Sequence, residues 1–273
     1  MMLYSETRGD GRDAVLLLHG FLGSGRNLAS LARRWTERAP HLRLYLLDLP
    51  GHGRSDPLPP GADLGTLARS VLDTARALAI PQPWRIVGHS LGGRVALRAL
   101  RDAPGTIDRI ALLDISPAPL PPRSTRLDRV LEQVLAAPER ATTRAAMAAF
   151  FLAAGIPAPL VDWLLLNLTT GDDGAVHWRI DREALGAFHA RASAEDLWSA
   201  LDAKNCRLRC IRGGRSPFVS DADATRLAGL GCDVVTIAGA DHFLHVEQQV
   251  AVLEALSARE FWQPVASTSL DRA

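Results

Sequence analysis

Residues 85–93 read Arg85-Ile86-Val87-Gly88-His89-Ser90-Leu91-Gly92-Gly93, a short apolar run followed by the pattern Gly-x-Ser-x-Gly. The apolar run is typical of a buried strand, and helical apolar spacing continues from Leu91 to about Arg101. A serine between glycines at a strand-to-helix junction is typical of a nucleophile elbow, a sharp turn that lifts the hydroxyl above the sheet. The alternative, a glycine-rich turn capped by serine, fits the flanking strand and helix less well. Ser90 is therefore the candidate nucleophile.

The segments on both sides of this turn alternate between apolar runs and helical patterns. Strands are predicted at 15–18, 42–49, 85–87, 110–113, 208–211 and 233–237. Between them, Leu28, Leu31 and Trp35 show the spacing of a helix, and so do the apolar positions of 64–78. Alternating strands and helices predict a mostly parallel central sheet with helices on both faces.

The alternation is interrupted between the fourth and fifth of these strands. Residues 117–205 carry helical periodicity without a strong strand, after a proline-rich exit at 117–122. Helices are predicted near 124–137, 142–154, 159–168, 182–192 and 194–203. We therefore expect an α/β core of residues 1–116 and 206–265, a helical cap (or lid) of residues 117–205, and a flexible tail of residues 266–273. A cap inserted there would cover the carboxyl ends of the strands, where open α/β sheets bind ligands.

Composition narrows the class of protein. In the 273 residues, 31 Lys and Arg nearly balance 30 Asp and Glu, so nucleic acid is not an expected partner. Three Cys fit a reducing compartment, and the N-terminal residues lack the pattern of a secretory signal, so we predict a cytoplasmic location. The apolar region 145–168 contains Pro157, Pro159, Asp162 and Asn167, which makes a membrane span improbable. The oligomeric state is left open.

A serine nucleophile needs a base, and His242 is the best placed of the eight His. It lies after the last predicted strand and before the last predicted helix (246–258), so its loop can reach the carboxyl edge of the sheet. His245, three residues later, is the second choice. His19 and His52 lie in other edge loops, where they are expected to orient turns, and His89 should point away from the serine.

The acid that would orient this histidine has two candidates. The usual loop, after the next-to-last strand, reads Arg212-Gly213-Gly214-Arg215-Ser216-Pro217-Phe218-Val219 and has serine where an acid is expected. Asp221 is among the nearest acids beyond it. Asp114, at the end of strand 110–113, is favoured because it lies beside the elbow strand, although Asp before Ser-Pro is also a common turn signal.

Other parts of the site follow from the same placement. The backbone N–H groups of Leu91 and Phe21 are the expected oxyanion donors, since one follows the nucleophile and the other lies after the first central strand. Aromatic residues of the cap are candidate walls of an apolar substrate pocket. They are Phe150, Phe151, Trp163, Trp178 and Phe188.

Taken together, these motifs resemble the α/β-hydrolase superfamily. The resemblance runs through His19-Gly20-Phe21, residues 48–55 (Asp-Leu-Pro-Gly-His-Gly-Arg-Ser), the elbow, and Gly239-Ala240-Asp241-His242. The segments 114–117, 213–219 and 242–245 resemble the bacterial YbfF-type esterase branch, which is related to the ABHD11-type hydrolases. That branch also has Ser in the late loop, so the resemblance implies that the acid is Asp114. It further implies hydrolysis of small carboxylic esters, and in some members of thioesters.

The sequence therefore predicts a serine carboxylesterase that acts on small to medium apolar acyl esters without metal or cofactor. Two other functions are kept open. The stretch Ser90-Leu91-Gly92-Gly93-Arg94 also resembles menaquinone-pathway lyases of this fold, although their late-loop Asp is absent here. A lyase or C–C bond hydrolase would leave simple esters nearly untouched. A non-hydrolytic ligand-binding member would have no activity at all, because a fold does not fix a function.

Overall fold

The computed structural model describes residues 1–120, 126–202 and 206–262. The predicted tail, 266–273, lies outside these residues, as does the proline-rich segment beyond residue 120. The strands, in chain order, are β1 (Ser5–Arg8), β2 (Asp13–Leu18), β3 (Leu42–Leu47), β4 (Trp84–His89), β5 (Ile107–Leu113), β6 (Arg140–Ala141), β7 (Leu168–Thr170), β8 (Val176–Trp178), β9 (Arg207–Gly213) and β10 (Asp233–Ile237).

Seven of these strands form the central sheet, in the order β1-β3-β2-β4-β5-β9-β10. Strand β1 is antiparallel to β3, and every other neighbouring pair is parallel. The predicted mostly parallel sheet is therefore confirmed. The elbow strand β4 is central, with β5 beside it, so the carboxyl ends of these two strands meet at one edge.

Helices cover both faces of the sheet and make up most of the insertion that the sequence predicts as a cap. They are α1 (Gly25–Arg38), α2 (Leu64–Ala77), α3 (Leu91–Asp102), α4 (Arg126–Ala136), α5 (Arg144–Ala153), α6 (Ala158–Leu165), α7 (Arg182–Ala194), α8 (Asp221–Gly229), α9 (Leu244–Glu247), α10 (Gln249–Ser257) and α11 (Arg259–Trp262), with a 3₁₀ turn at Trp198–Asp202.

The two faces of the sheet carry separate apolar clusters. On β2, Val15 and Leu17 pack with Leu31 of α1, whereas Leu16 and Leu18 pack with the cluster that holds α2 and α3. Alternate side chains of a strand point to opposite faces, so a continuous apolar run such as Val15-Leu16-Leu17-Leu18 requires cover on both. Because both of its faces are buried, the sheet is a rigid support for the residues at its edge.

The structure differs from the sequence prediction in several places, among them the helix predicted near 194–203, where the described residues form the end of α7 and a 3₁₀ turn at Trp198–Asp202. Strand β1 was not predicted, because Ser5-Glu6-Thr7-Arg8 has no apolar run and is held by backbone pairing with β3. The predicted last helix, 246–258, is two helices that meet at Gln248. The cap is not wholly helical: β6, β8 and β7 form a small antiparallel sheet, whose strands of two or three residues are too short for a periodic pattern.

The chain enters the segment predicted as the cap after β5 and leaves it before β9. The helices of this segment are α4 to α7. In the described part of the chain, no helix combines the length and apolar character that crossing a membrane requires.

Candidate active site

The turn between β4 and α3 holds Ser90 in an uncommon backbone conformation, with φ of 50° and ψ of −115°. A positive φ is strained for a residue with a side chain, and such strain is found at functional turns. Close packing enforces it: a Cβ on Gly88 would overlap the backbone of Gly92 and Gly93, and a Cβ on Gly92 would overlap the carbonyl of Leu18. The flanking glycines are therefore required by contact, as the sequence pattern predicts.

Asp114 lies beside this turn, at the end of β5, and is completely buried. Its Oδ2 is 2.7 Å from Nδ1 of His242, which comes from the loop after β10. Because a carboxylate only accepts hydrogen bonds, this contact places the proton on Nδ1 and leaves Nε2 with a free lone pair. The structure thus brings together the two residues that the sequence proposes as acid and base.

Two further contacts hold the Asp114 carboxylate, and sequence reasoning missed both. The backbone N–H of Gly213 donates to Oδ1 at 2.8 Å, and the hydroxyl of Ser216 donates to Oδ2. Ser216 stands where an acid was expected, so its role is to bind the carboxylate that comes from the neighbouring strand. Phe218 stacks on the imidazole of His242 with a centroid separation of 3.8 Å. One signal for these contacts was present in the sequence: the loop 212–219 is the one in which the acid of the site is usually found.

His89, the residue before Ser90, contacts His242: the two rings lie 4.8 Å apart, and Nε2 of His89 lies 3.0 Å from the His242 carbonyl oxygen. Among the described residues, the Ser90 hydroxyl makes no hydrogen bond, with His242 or with any other group. Catalytic hydrogen bonds are often long without substrate and tighten only when it binds. The hydroxyl is therefore unengaged, next to the loop of the candidate base.

The expected oxyanion donors lie on two segments that pack closely together: the loop after β2, with Phe21, and the start of α3, with Leu91. A Cβ on Gly20 would lie 2.6 Å from Nδ1 of His89 and 3.4 Å from Cβ of Ser90, so only glycine lets the loop before Phe21 approach the elbow this closely. No described group accepts a hydrogen bond from the backbone N–H of Phe21 or of Leu91, which is the first residue of α3. Both donors are free, which is what stabilising a developing oxyanion requires.

His19 and His52 orient the loops around this site. Leu49 donates its backbone N–H to Nε2 of His19 at 2.9 Å, and Leu22 donates to Nε2 of His52 at 3.2 Å. Both rings are buried, and burial lowers the pKa of His19 to about 4 and that of His52 to about 3. They are therefore neutral acceptors at physiological pH.

His245, the second choice for the base, lies inside a cluster of rings instead. It is buried on α9, its ring is 4.3 Å from that of His89, and its Nδ1 has no hydrogen-bond partner in the described structure. Burial lowers the pKa of His245 to about 3. The carboxylate of Asp114 is bound to His242 and not to His245.

These buried histidines predict a loss of stability in acid. A folded-state pKa near 3 for His245, against about 6.5 unfolded, means that only the unfolded state binds the proton between these values. Each such histidine lowers the free energy of unfolding by about 1.4 kcal/mol per pH unit as pH falls below 6.5. We expect the free energy of unfolding of His245→Phe to fall by about 2 kcal/mol less than that of the wild type between pH 7 and pH 5. Urea unfolding at both pH values measures this, and equal losses would contradict it.

The other candidate acid, Asp221, makes no described contact with the imidazole of His242. The Asp221 side chain is 93% exposed, and its Oδ1 pairs with Arg212 at 2.7 Å at the start of α8. Asp48, in the motif at 48–55, is structural: it accepts hydrogen bonds from the backbone N–H groups of Gly25 and Arg54 at 2.6 and 2.8 Å.

A groove of about 500 Å³ opens beside His242, between its loop and the cap helix α6. Trp163 and Phe218 are among its apolar lining residues, with Phe243, whose ring is 5.6 Å from that of Trp163. The remaining aromatic candidates lie elsewhere. Phe151 and Phe188 are fully buried in the core, Phe150 is half-buried against Phe151, and Trp178 lines a separate cavity on the cap.

A mostly parallel sheet, a strained serine between a strand and a helix, and a buried Asp–His pair from later loops define a hydrolase of the α/β type. The sequence profile of the alpha/beta hydrolase fold family matches residues 13–155, and the chain belongs to this family.

Comparison with known proteins agrees with this class. The chain is 28% identical to the esterase YbfF of Escherichia coli over 245 residues, 89% of this chain and 91% of that protein. It is 25% identical to the sn-1-specific diacylglycerol lipase ABHD11 of Xenopus laevis, over 89% of this chain and 78% of that one. A solved marine microorganism esterase superposes with a TM-score of 0.83 at 21% identity, covering 95% of this chain and 99% of the other. That structural likeness shows the fold.

Proposed function

We propose that this chain is a serine carboxylesterase that hydrolyses small to medium apolar acyl esters through Ser90, His242 and Asp114. The observation that carries the proposal is the 2.7 Å contact between the buried Asp114 carboxylate and Nδ1 of His242, next to the loop that bears the strained Ser90. The relatives named as esterases and as a lipase support ester hydrolysis as the reaction.

The proposed mechanism has two halves. Nε2 of His242 removes the hydroxyl proton of Ser90 as the serine oxygen attacks the ester carbonyl, and the N–H groups of Phe21 and Leu91 stabilise the oxyanion. His242 then gives the proton to the leaving alcohol, and an acyl-enzyme remains on Ser90. Water, activated by the same imidazole, releases the acid. Asp114 holds the ring orientation and stabilises its charged form in both halves.

A label that reacts only with activated serines tests this proposal. We expect a fluorophosphonate probe to add to the peptide that contains Ser90, and p-nitrophenyl acetate hydrolysis to fall in proportion to the labelled fraction. Heat-denatured protein is the control, because an unfolded serine has no base beside it. Hydrolysis that persists after complete labelling of Ser90, or folded protein that does not label, would refute the mechanism.

The groove beside His242 supports the preference for apolar acyl groups, with Trp163 as its cap-side wall. We expect Trp163→Ala to raise KM for p-nitrophenyl octanoate about tenfold, the effect of about 1.4 kcal/mol of lost apolar contact, and to leave the acetate ester nearly unchanged. Trp178→Ala is the matched comparison on the separate cavity and should leave the octanoate-to-acetate ratio unaltered. Steady-state kinetics of both variants give the ratio of the KM values for the two esters. If Trp178→Ala changed this ratio and Trp163→Ala did not, the acyl group would not bind in the groove.

The compartment is part of the same proposal. All three cysteines, Cys206, Cys210 and Cys232, are free thiols, and burial raises the pKa of Cys206 and of Cys232 to about 12. Unpaired, unreactive thiols fit the predicted reducing cytoplasm.

A further inference from the structure

Arg94 lies one turn into α3, the helix that begins directly after Ser90, and its side chain is buried, with the residue only 2% exposed. Its backbone N–H donates to the carbonyl oxygen of Ser90 at 3.2 Å. A guanidinium that is almost completely removed from water needs several acceptors, because burying an unpaired charge is costly. The main chain of Arg94 is thus tied to the nucleophile, and the partners of its side chain indicate its role.

Those partners belong to the two segments where the chain enters and leaves the cap, residues 116–120 and 192–197, which we call the cap neck. The guanidinium donates to the carbonyl oxygen of Ala118 at 2.7 Å on the entering segment. It also donates to Ala192 at 3.1 Å, and to Glu195, on the leaving segment. Among the described residues, every hydrogen-bond acceptor of this side chain is a main-chain carbonyl, so its hydrogen bonds bind the backbone of the cap neck.

Within the described residues, two backbone hydrogen bonds also join the two segments of the cap neck. The N–H of Leu120 donates to Ser193 at 2.8 Å, and the N–H of Leu197 donates to Pro117 at 2.9 Å. A guanidinium has five donors in a fixed planar fork, so it can reach both segments at once, whereas an ammonium offers donors from a single atom. Arg101, on the same helix, contacts the leaving segment through Glu195 and Asp196 and makes no hydrogen bond with the entering segment in the described part of the chain.

We propose that Arg94 is a positioning residue that fixes the cap neck, and with it the cap wall of the substrate groove, relative to the helix of the nucleophile. The inference rests on the proposed esterase function. The cap contacts the site at two places, and the hydrogen bonds of Arg94 would fix the position of both. Nδ2 of Asn167 donates to the carbonyl of Leu22 at 2.8 Å, and the ring of Trp163 contacts that of Phe243. A cap held loosely at its neck would widen the groove without altering Ser90, His242 or Asp114.

Kinetics with a short and a long ester test this. We expect Arg94→Met, which keeps the apolar bulk without donors, to raise KM for p-nitrophenyl octanoate about tenfold with little change in kcat, and to alter acetate hydrolysis less than about threefold. Arg94→Lys should act in the same direction, which covers the case that the Met variant does not fold. Arg101→Met, which removes contacts with the leaving segment only, should have a smaller effect than either Arg94 variant. A parallel loss on both esters, or no change in either Arg94 variant, would overturn the proposal.

Amide hydrogen exchange supplies a readout that does not depend on esterase activity. We expect the amides of Leu120 and Leu197 to exchange about tenfold faster in the Arg94 variants, while Val87, inside the sheet, keeps its protection. Unchanged exchange at both neck amides would refute the positioning role. If the wild type hydrolyses neither ester although the neck amides respond, the proposed function fails and the grip of Arg94 on the neck stands.

Discussion

Ser90→Ala is expected to lower kcat for p-nitrophenyl acetate by about 10⁵ to 10⁶, the loss typical of removing the nucleophile of a serine hydrolase. The physical reason is that no other described group can form the acyl-enzyme in front of the free N–H groups of Phe21 and Leu91. The residual rate should remain above that in water, because oxyanion stabilisation and substrate binding persist. Pre-steady-state absorbance measurements on the wild type should show a burst of p-nitrophenol that the variant lacks.

Stability gives the control for this change. The Ser90 side chain makes no described hydrogen bond, and alanine is the smaller residue at a crowded turn. We therefore expect the thermal midpoint of Ser90→Ala to stay close to that of the wild type, since a positive φ strains alanine as it strains serine and no described hydrogen bond is lost. A folded variant that still hydrolyses the ester at more than about one hundredth of the wild-type rate would exclude Ser90 as the nucleophile.

Asp114→Asn is expected to lower kcat by about 10⁴, the second-largest effect. Asparagine has the same shape, but its amide group can donate a hydrogen bond to Nδ1 of His242, which places the ring proton on Nε2 and removes the base. Asp221→Asn is the matched control, since that side chain is exposed and paired with Arg212. Its activity should stay within about twofold of the wild type, as expected for a surface position.

Comparison of the two variants decides between the two acids that the sequence left open. A loss of orders of magnitude in Asp221→Asn alone would reject Asp114. The imidazole proton can also be observed directly: a downfield NMR resonance from His242 Nδ1–H should be present in the wild type and displaced in Asp114→Asn. Its presence, unchanged, in the variant would show that Asp114 does not bind that proton.

The sequence predicted the central part of the fold because apolar runs and helical spacing repeat there without interruption. Val15-Leu16-Leu17-Leu18 and Asp233–Ile237 are strands because both are bounded by turns and belong to parallel pairs. The strands of the cap escaped prediction because β6 to β8 rely on backbone pairing over two or three residues. Strand β1 escaped for the same reason, since an edge strand of polar residues carries no apolar pattern.

The site was predictable to the extent that its residues follow strand ends. Ser90, Asp114 and His242 each follow a strand of the one central sheet, so a common edge could be inferred for them, and the contact between Asp114 and His242 agrees with this. The contacts of Ser216 and Phe218 depend on how a loop folds back onto a neighbouring strand, which no local pattern records. The cap aromatics were the least predictable, because Phe151 and Phe188 are in the core whereas Trp163 lines the groove, although all three lie on helices.

The hydroxyl of Ser216 and the carboxylate of Asp114 occupy adjoining points beside one imidazole, although they arise from different strands. The fold therefore has two positions from which one carboxylate could bind the imidazole: the end of β5 and the loop after β9. An acid in either position would lie beside the same imidazole, because β5 and β9 are neighbours in the sheet. In this chain the loop position holds Ser216, and its hydroxyl supports the carboxylate of Asp114 instead of replacing it.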